Sequence, residues 1–214
     1  MRRAEPMDAG AIARVHVRSW QAGYRGQLPD ELLDSLNATD RVARWEAEIE
    51  AAEWPGRGTL LIEDHDARVA GFAHFVPSRD GDDGPDSTGE IASFYIDPAS
   101  WGQGLGSRLM HSALAELGSA YRTGTLWVLE TNIRAQAFYE ATGWARDGQG
   151  KDDLMAGVTI RALRYRHELR ALFRDRRAPL PLLSADTYAT HLRDLTSDTA
   201  LDVRRSTDPT RRHR

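Results

Sequence analysis

A strand, a glycine-rich loop and a helix follow one another between residues 89 and 110, and this segment constrains the fold most. It has the sequence GEIASFYIDPASWGQGLGSRLM. Glu90 to Ile96 is predicted to be a strand that Asp97-Pro98 ends, and Gln103 to Leu117 is predicted to be a helix. At a helix start the backbone N–H groups lack partners, and glycine lets an anion approach them. The loop between the two elements therefore predicts an anion site.

The common nucleotide motifs do not account for this loop. A dinucleotide fingerprint needs G-x-G-x-x-G, but the third glycine here is Gly106, one residue early, and Ser107 follows it. A P-loop needs Gly-Lys-Ser/Thr, and the loop has no lysine. From the glycines alone, a strand-to-helix turn that binds nothing is still an alternative.

Strands and helices alternate along the first 170 residues, which predicts an α/β fold. Further helices are predicted at Asp8 to Val17 (with Asp8 as the cap), at Leu28 to Leu36, from Thr39 to about Ala52, and at Ile133 to Thr142 before Gly143. Further strands are predicted at Thr59 to Glu63, Val69 to Val76, Thr125 to Leu129 and Val158 to Tyr165, with polar loops at Ser78 to Gly89 and Asp147 to Asp153. The loop from Ser78 to Gly89, rich in Asp and Gly, is expected to be mobile.

The composition changes near Arg170. Residues 171–214 contain few core residues and end in the basic run RRSTDPTRRHR. We therefore expect one domain at 1–170 and a partly disordered extension at 171–214.

Composition excludes several classes of function. The chain has no cysteine, so disulfides, thiolate catalysis and cysteine metal sites are excluded. The seven histidines have no zinc-protease spacing, so we expect no metal. The net charge of −4 argues against a nucleic-acid binder. The N-terminal MRRAEPMDAG has no apolar segment behind its arginines, and no run is long enough for a membrane span, so we expect a cytoplasmic protein.

Two motifs in the chain resemble the GNAT superfamily of N-acetyltransferases. The family's loop has the form Arg/Gln-x-x-Gly-x-Gly/Ala, and here it is Trp101-Gly102-Gln103-Gly104-Leu105-Gly106, with Trp101 in place of Arg or Gln. Downstream, the family pattern N-x-x-A-x-x-F-Y-x-x-x-G-F is matched by Asn132, Ala135, Phe138, Tyr139, Gly143 and Trp144. The resemblance covers roughly residues 1–170, with Arg3 to Asp8 similar to the first strand and Ile12 to Tyr24 to the first helix.

The resemblance implies a mixed, mostly antiparallel sheet of six to seven strands, with splayed central strands and helices on both faces. It also implies acetyl-CoA as co-substrate, without a metal. The pantetheine arm would pair with the strand backbone at Phe94, Tyr95 and Ile96, and Asn132 would hydrogen-bond near it. The diphosphate would lie on the amides of Gly102, Gln103, Gly104, Leu105, Gly106 and Ser107. Dimers are common in the family, so a homodimer is compatible with the resemblance.

Two residues match catalytic positions of the family. Tyr139 matches the tyrosine that protonates the coenzyme A sulfur, and packing beside Phe138 is its structural alternative. Glu90 matches a strand position that acts as general base in some members; Glu130 competes for this role, and a solvated carboxylate is the alternative to both. Strict alternation along the strand would place Glu90, Ala92, Phe94 and Ile96 on one face.

The region of Trp20 and Tyr24 forms the acceptor wall in the family. Their rings are candidates to hold an alkylammonium, with core packing as the alternative. The leading hypothesis is therefore transfer of an acetyl group to a small-molecule amine. A protein N-terminus or lysine as acceptor, and a non-catalytic acyl-CoA-binding module, are the two other hypotheses.

Overall fold

A computed structural model describes residues 1–84, 86–155 and 157–169 of the chain, and these residues form one sheet with helices around it. The strands are β1 (Arg2–Arg3), β2 (Gly58–Glu63), β3 (Val69–Pro77), β4 (Thr88–Ile96), β5 (Thr123–Leu129), β6 (Ala145–Met155) and β7 (Val158–Glu168). The helices are α1 (Ala9–Gly23), α2 (Asp30–Ser35), α3 (Val42–Glu50), α4 (Leu105–Ala120) and α5 (Ile133–Ala141). Short 3-10 turns lie at Pro6–Asp8, Thr39–Arg41 and Pro98–Ser100.

The strand order is β1-β2-β3-β4-β5-β7-β6. Every neighbouring pair is antiparallel except β4 and β5, which are parallel. The expected mixed, mostly antiparallel sheet is therefore confirmed.

The central strands β4 and β5 separate after a short contact. Their pairing covers only three positions, from Thr88 opposite Thr123 to Glu90 opposite Thr125. Both strands continue beyond this point, β4 to Ile96 and β5 to Leu129, without pairing with each other. The gap between them is the splay that the resemblance implied.

Helices cover both faces of the sheet, as expected. Helix α4 packs on one face through a buried stripe of Leu105, Leu109, Ala113 and Leu117. Helices α1 and α3 pack on the other face. Successive side chains of β2 point to opposite faces of the sheet. Leu60 and Ile62 pack on the α4 side, whereas Leu61 packs on the α1 side. Each fully buried side chain of this kind contributes about 1.5–3 kcal/mol.

A bulge in β4 corrects the expected alternation. His74 of β3 pairs with Ser93, but the next residue, Phe75, pairs with Ile91, so Ala92 is an extra residue. Ile91 and Phe94 consequently both join the α4-side core. Glu90 points to the opposite face from Phe94 and Ile96, so the prediction that Glu90 shares their face is wrong.

Three local predictions also need correction. The polar stretch at Asp147 to Asp153 is part of the edge strand β6, where most of the described side chains are exposed. The first strand is limited to Arg2–Arg3. Asp8 does not cap α1 with its side chain; its carboxylate accepts hydrogen bonds from Arg2 and from the backbone N–H of Glu5 instead.

The expected extension at 171–214 lies outside the described residues. No helix in the described part of the chain is both long and apolar enough to cross a membrane.

Candidate active site

The glycine loop before α4 has an open, left-handed backbone. Gly102 and Gly104 have φ angles of 78° and 75°, which favour glycine, and a Cβ placed on either would meet no atom within 4 Å. Gly104 stands at the N-cap of α4, so the N–H groups of Leu105, Gly106 and Ser107 begin the helix without intrahelical partners. The side chain of Gln103 turns back to donate to the carbonyl of Ala99, at 3.3 Å. The arrangement offers backbone donors and a helix dipole to an anion.

The loop lies directly beside the gap between β4 and β5. A Cβ on Gly106 would lie 3.7 Å from Ile96 of β4 and 3.4 Å from Phe138 of α5. The indole Nε1 of Trp101 donates to the carbonyl of Ile96 at 2.8 Å, which ties the loop to the end of β4. The structure thus brings the predicted diphosphate loop and the predicted pantetheine strand together.

Helix α5 lines the same gap from the β5 side. Asn132 is its N-cap, and its Oδ1 accepts from the backbone N–H of Ala135 at 3.1 Å. Two turns later, the ring of Phe138 stacks on Phe94 with centroids 5.5 Å apart. Gly143 has a φ of 91° just after the helix, as expected for the residue that ends it.

Tyr139 is buried next to the unpaired part of β4. The centroid of its ring lies 6.5 Å from the ring centroids of Phe94 and of Trp144, and 6.2 Å from that of Tyr165. Burial, and to a lesser degree the neighbouring hydroxyl of Tyr95, raises the pKa of Tyr139 above its usual value. The phenol therefore stays protonated at neutral pH, which is the form that can donate a proton.

The predicted acceptor residues meet the end of β4 on the other face. Trp20 Nε1 donates a hydrogen bond to the hydroxyl of Tyr95, at 2.9 Å, and the Trp20 and Tyr24 rings meet edge to face at 5.1 Å. His16 stacks on the Tyr95 ring at 4.9 Å. The sequence predicts a role only for the backbone of Tyr95, because the contact of its side chain with Trp20 depends on how α1 packs against the sheet.

A hairpin and a side-chain contact close this face of the sheet. Ile160 of β7 and Leu129 of β5 join the apolar cluster of α2. The hydroxyl of Thr131 donates to Oε1 of Gln27 at 2.7 Å, which links the loop after β5 to the loop after α1. The aromatic wall is therefore bordered by β7 and by the contact between these two loops.

Glu90 lies deep in the molecule, on the same face of β4 as the aromatic wall. Only 1% of its surface is exposed, and its carboxylate accepts hydrogen bonds from Arg79 at 3.0 Å (Nε) and 2.6 Å (Nη2). The competitor Glu130 is more than half exposed, and its carboxylate lies 4.0 Å from Arg161. The two candidate bases therefore differ in burial, because Glu90 is buried and Glu130 is exposed.

Lys151 stands near Glu90 and was not singled out by the sequence. Its Nζ lies 3.7 Å from the ring centroid of Trp127. Burial lowers the pKa of Lys151 to about 8, although the nearby carboxylates of Glu90 and Asp80 raise it in part. Lys151 is the only lysine in the chain, and its pKa lies far below that of the arginines. The two kinds of side chain therefore titrate in separate pH ranges.

Ion pairs anchor the loop that precedes β4. Arg164 of β7, with a side chain 3% exposed, contacts Asp82 at 2.6 Å, Asp147 at 2.6 Å and Asp80 at 3.2 Å. Arg166 contacts Asp83 at 2.5 Å. The carboxylates of Asp80, Asp82 and Asp83 lie close enough to form a cation-binding cluster, but each of them already forms an ion pair with Arg164, and Asp83 also pairs with Arg166. The sequence predicted a mobile loop here because it does not show that β7 supplies the partners.

Comparison with known proteins shows to which family the chain belongs. The model of the acetyltransferase (GNAT) family matches residues 20–144. The chain belongs to this family. The uncharacterized N-acetyltransferase YuaI of Bacillus subtilis is 30% identical to it over 162 residues, which are 75% of this chain and 88% of that protein.

Solved GNAT structures share the fold. YncA from Salmonella typhimurium, solved with its cofactor acetyl-CoA, superposes with a TM-score of 0.60 at 20% identity, over 85% of this chain and 97% of that one. The PaiA N-acetyltransferase from Thermoplasma acidophilum, solved in complex with coenzyme A, has a TM-score of 0.56 at 15% identity, over 78% of this chain and 96% of that one. At these identities the likeness shows the fold alone.

Proposed function

We propose that this GNAT protein transfers the acetyl group of acetyl-CoA to the primary amine of a small molecule by direct attack. The gap between β4 and β5 carries the proposal, because the open glycine loop lies at its end and Tyr139 lies along it. The solved relatives that hold acetyl-CoA and coenzyme A support the choice of donor.

The donor would bind along backbone groups. The amides of Gly102 to Ser107 receive the diphosphate, and the unpaired edge of β4 at Phe94, Tyr95 and Ile96 pairs with the pantetheine arm, with Asn132 beside it. A backbone N–H of β4 then polarises the thioester carbonyl. Donors fixed in this way before the reaction stabilise the developing oxyanion without reorganisation.

The reaction needs three proton transfers. Glu90 accepts, through water, the proton that the ammonium loses, and the neutral amine nitrogen then attacks the thioester carbon, so that the C–N bond forms and the C–S bond breaks. Tyr139 donates a proton to the departing coenzyme A thiolate, and the proton that the new amide nitrogen loses returns to the Tyr139 phenolate. The place of Tyr139 beside the unpaired part of β4 supports its role as the acid. The burial of Glu90 and its place on the acceptor face support its choice over the exposed Glu130.

The aromatic wall, bordered by β7 and by the contact between Thr131 and Gln27, favours a small acceptor. The ring faces of Trp20 and Tyr24 would attract an alkylammonium group. The packing of Ile160 against α2 and the contact between Thr131 and Gln27 restrict the space for a polypeptide. A protein N-terminus or lysine is therefore the second choice, and a non-catalytic acyl-CoA-binding module is the third.

A panel of amines tests the proposal. The protein is incubated with acetyl-CoA and each amine, and free coenzyme A is measured with a thiol reagent. Because the chain has no cysteine, the thiol signal reports coenzyme A alone. We expect turnover with at least one small primary amine and none with peptides. Binding of acetyl-CoA by calorimetry without turnover on any amine would favour the module, and absence of binding would refute both.

A further inference from the structure

Trp101 occupies the loop position at which the family pattern has Arg or Gln, yet its polar atom faces away from the cradle. Its indole nitrogen is engaged with the carbonyl of Ile96. The loop therefore has neither a guanidinium nor a side-chain amide at this position. If a charged group serves the anion here, it must come from another element.

Arg134 of α5 places such a group on Trp101. Its guanidinium carbon lies 3.7 Å from the centroid of the Trp101 ring, a cation–π stacking distance. The side chain is exposed, and no carboxylate of the described residues forms an ion pair with it. The guanidinium edge thus keeps its donors available while its face is held by the indole.

The position of Arg134 does not stabilise helix α5 itself. It is the second residue of the helix, where the dipole is positive, and a cation there is unfavourable unless an anion lies nearby. A phosphate next to the loop would remove this cost. The placement therefore indicates a ligand rather than helix stability.

Packing fixes Arg134 relative to the loop amides. Phe138 follows it by one helical turn and so lies on the same face of α5. Phe138 contacts Gly106, where a Cβ would be only 3.4 Å away. Arg134 contacts Trp101, the residue before Gly102. One face of α5 therefore meets both ends of the glycine loop.

We propose that Arg134, held on the indole of Trp101, binds a phosphate group of the coenzyme A moiety and supplies the charge that the loop itself lacks. This rests on the proposed use of acetyl-CoA. Two phosphate sources have the same chemistry, the diphosphate and the 3′-phosphate of the ribose. A planar guanidinium suits either, because it donates two parallel hydrogen bonds to phosphate oxygens.

Calorimetric titration of Arg134→Gln with acetyl-CoA tests the assignment. The matched control is Arg122→Gln, which removes the same charge beyond the other end of α4, about 24 Å away for a helix of 16 residues. We expect Arg134→Gln to weaken binding roughly tenfold and Arg122→Gln to leave it unchanged. Arg134→Lys keeps the charge but not the planar fork, and should fall between Arg134→Gln and the parent.

A second ligand separates the two phosphates. If 3′-dephospho-acetyl-CoA binds parent and Arg134→Gln equally, the contact is to the 3′-phosphate; if the tenfold difference persists, the contact is to the diphosphate. Equal acetyl-CoA affinity of Arg134→Gln, Arg122→Gln and the parent would overturn the inference and leave the proposed function intact. A parent protein that does not bind acetyl-CoA would overturn the proposed function as well.

Discussion

Both carboxylate oxygens of Glu90 accept hydrogen bonds from the guanidinium of Arg79, at 2.6 and 3.0 Å, and only 1% of the surface of Glu90 is exposed. This pair places a charged group on the proposed acceptor face of β4 and also ties the loop after β3 to the strand. If Glu90 accepts a proton in the reaction, replacing it by glutamine changes the pH–rate profile. If Glu90 is only a structural partner of Arg79, the same substitution changes stability alone.

Glu90→Gln should change the pH–rate profile of kcat, because the group that takes the proton from the ammonium is removed. The comparison is Glu130→Gln, an exposed glutamate for which we expect the parent profile. Rates are measured by coenzyme A release between pH 6 and 10 with the best amine of the panel. If Glu90→Gln loses thermal stability but keeps the parent profile, Glu90 is a structural partner of Arg79 and not the base.

Tyr139→Phe should lower kcat by about 10²-fold and leave acetyl-CoA affinity nearly unchanged, because only the leaving thiolate needs the phenol. Tyr121→Phe is the matched control: Tyr121 is also buried, but its hydroxyl donates to the carbonyl of Gly56, far along α4 from the glycine loop. This control should lose stability of about 1 kcal/mol without loss of kcat. Equal rates for Tyr139→Phe and the parent would remove the acid assignment.

Gly104→Ala should weaken acetyl-CoA binding, because the methyl group would enter the open cradle. It also costs about 1–2 kcal/mol of folding stability, since alanine disfavours a φ of 75°. Gly148→Ala carries the same backbone cost at a φ of 87° in the edge strand β6, where a Cβ also meets nothing within 4 Å. Urea unfolding should show similar losses for the two variants, and calorimetry should show loss of affinity for Gly104→Ala alone. Loss of affinity in both would mean that strain, not the cradle, is responsible.

Arg164→Gln should destabilise the fold by about 3 kcal/mol, because the partly buried carboxylate of Asp147 and the loop carboxylates would lose their counter-charge. Arg161→Gln, three residues earlier on β7 and half exposed, should change stability by less than about 0.5 kcal/mol. Urea denaturation of both variants gives the comparison. Equal stability would show that the loop before β4 does not depend on this network.

Lys151→Met should stabilise the protein at pH 7, and the gain should shrink as pH rises from about 8 to 10.5. The folded pKa of Lys151 is about 8 and the ordinary value is 10.5, so in this window the unfolded chain binds more protons than the folded one. The contribution of Lys151 to stability therefore increases with pH, and its cost is full below about 8. Thermal unfolding of both proteins between pH 7 and 10 measures the difference; a pH-independent gap would contradict the lowered pKa.

Local sequence was enough to predict the elements that build the proposed donor site. The apolar stripe from Leu105 to Leu117 and the glycines before it specify a helix and its start without help from distant residues. The motif from Asn132 to Gly143 also acts locally, because a cap and a left-handed glycine begin and end α5. Family resemblance supplied the splay, which no local pattern could show.

Features that depend on distant partners were missed. The bulge at Ala92 arises from the register between β3 and β4, so Glu90 was placed on the wrong face. The sequence predicts a loop where strand β6 lies, because an edge strand exposed to water lacks an alternating apolar pattern. The partners of Asp82 and Asp83 lie on β7, more than 80 residues away in sequence. Contacts between segments so far apart in the sequence depend on the whole fold, and not on the residues adjacent in sequence.

The separation of β4 from β5 has a consequence for association between molecules. Beyond Glu90, β4 presents unpaired backbone groups to the gap, so the sheet has an edge in its interior as well as at its two ends. Outer edges invite pairing with another chain, and proteins protect them with charges or short strands, here the charged β6 and the two-residue β1. The interior edge lies between helices α1 and α4, which pack on the two faces of the sheet, and its unpaired groups are those that we propose pair with the pantetheine arm instead of with another chain.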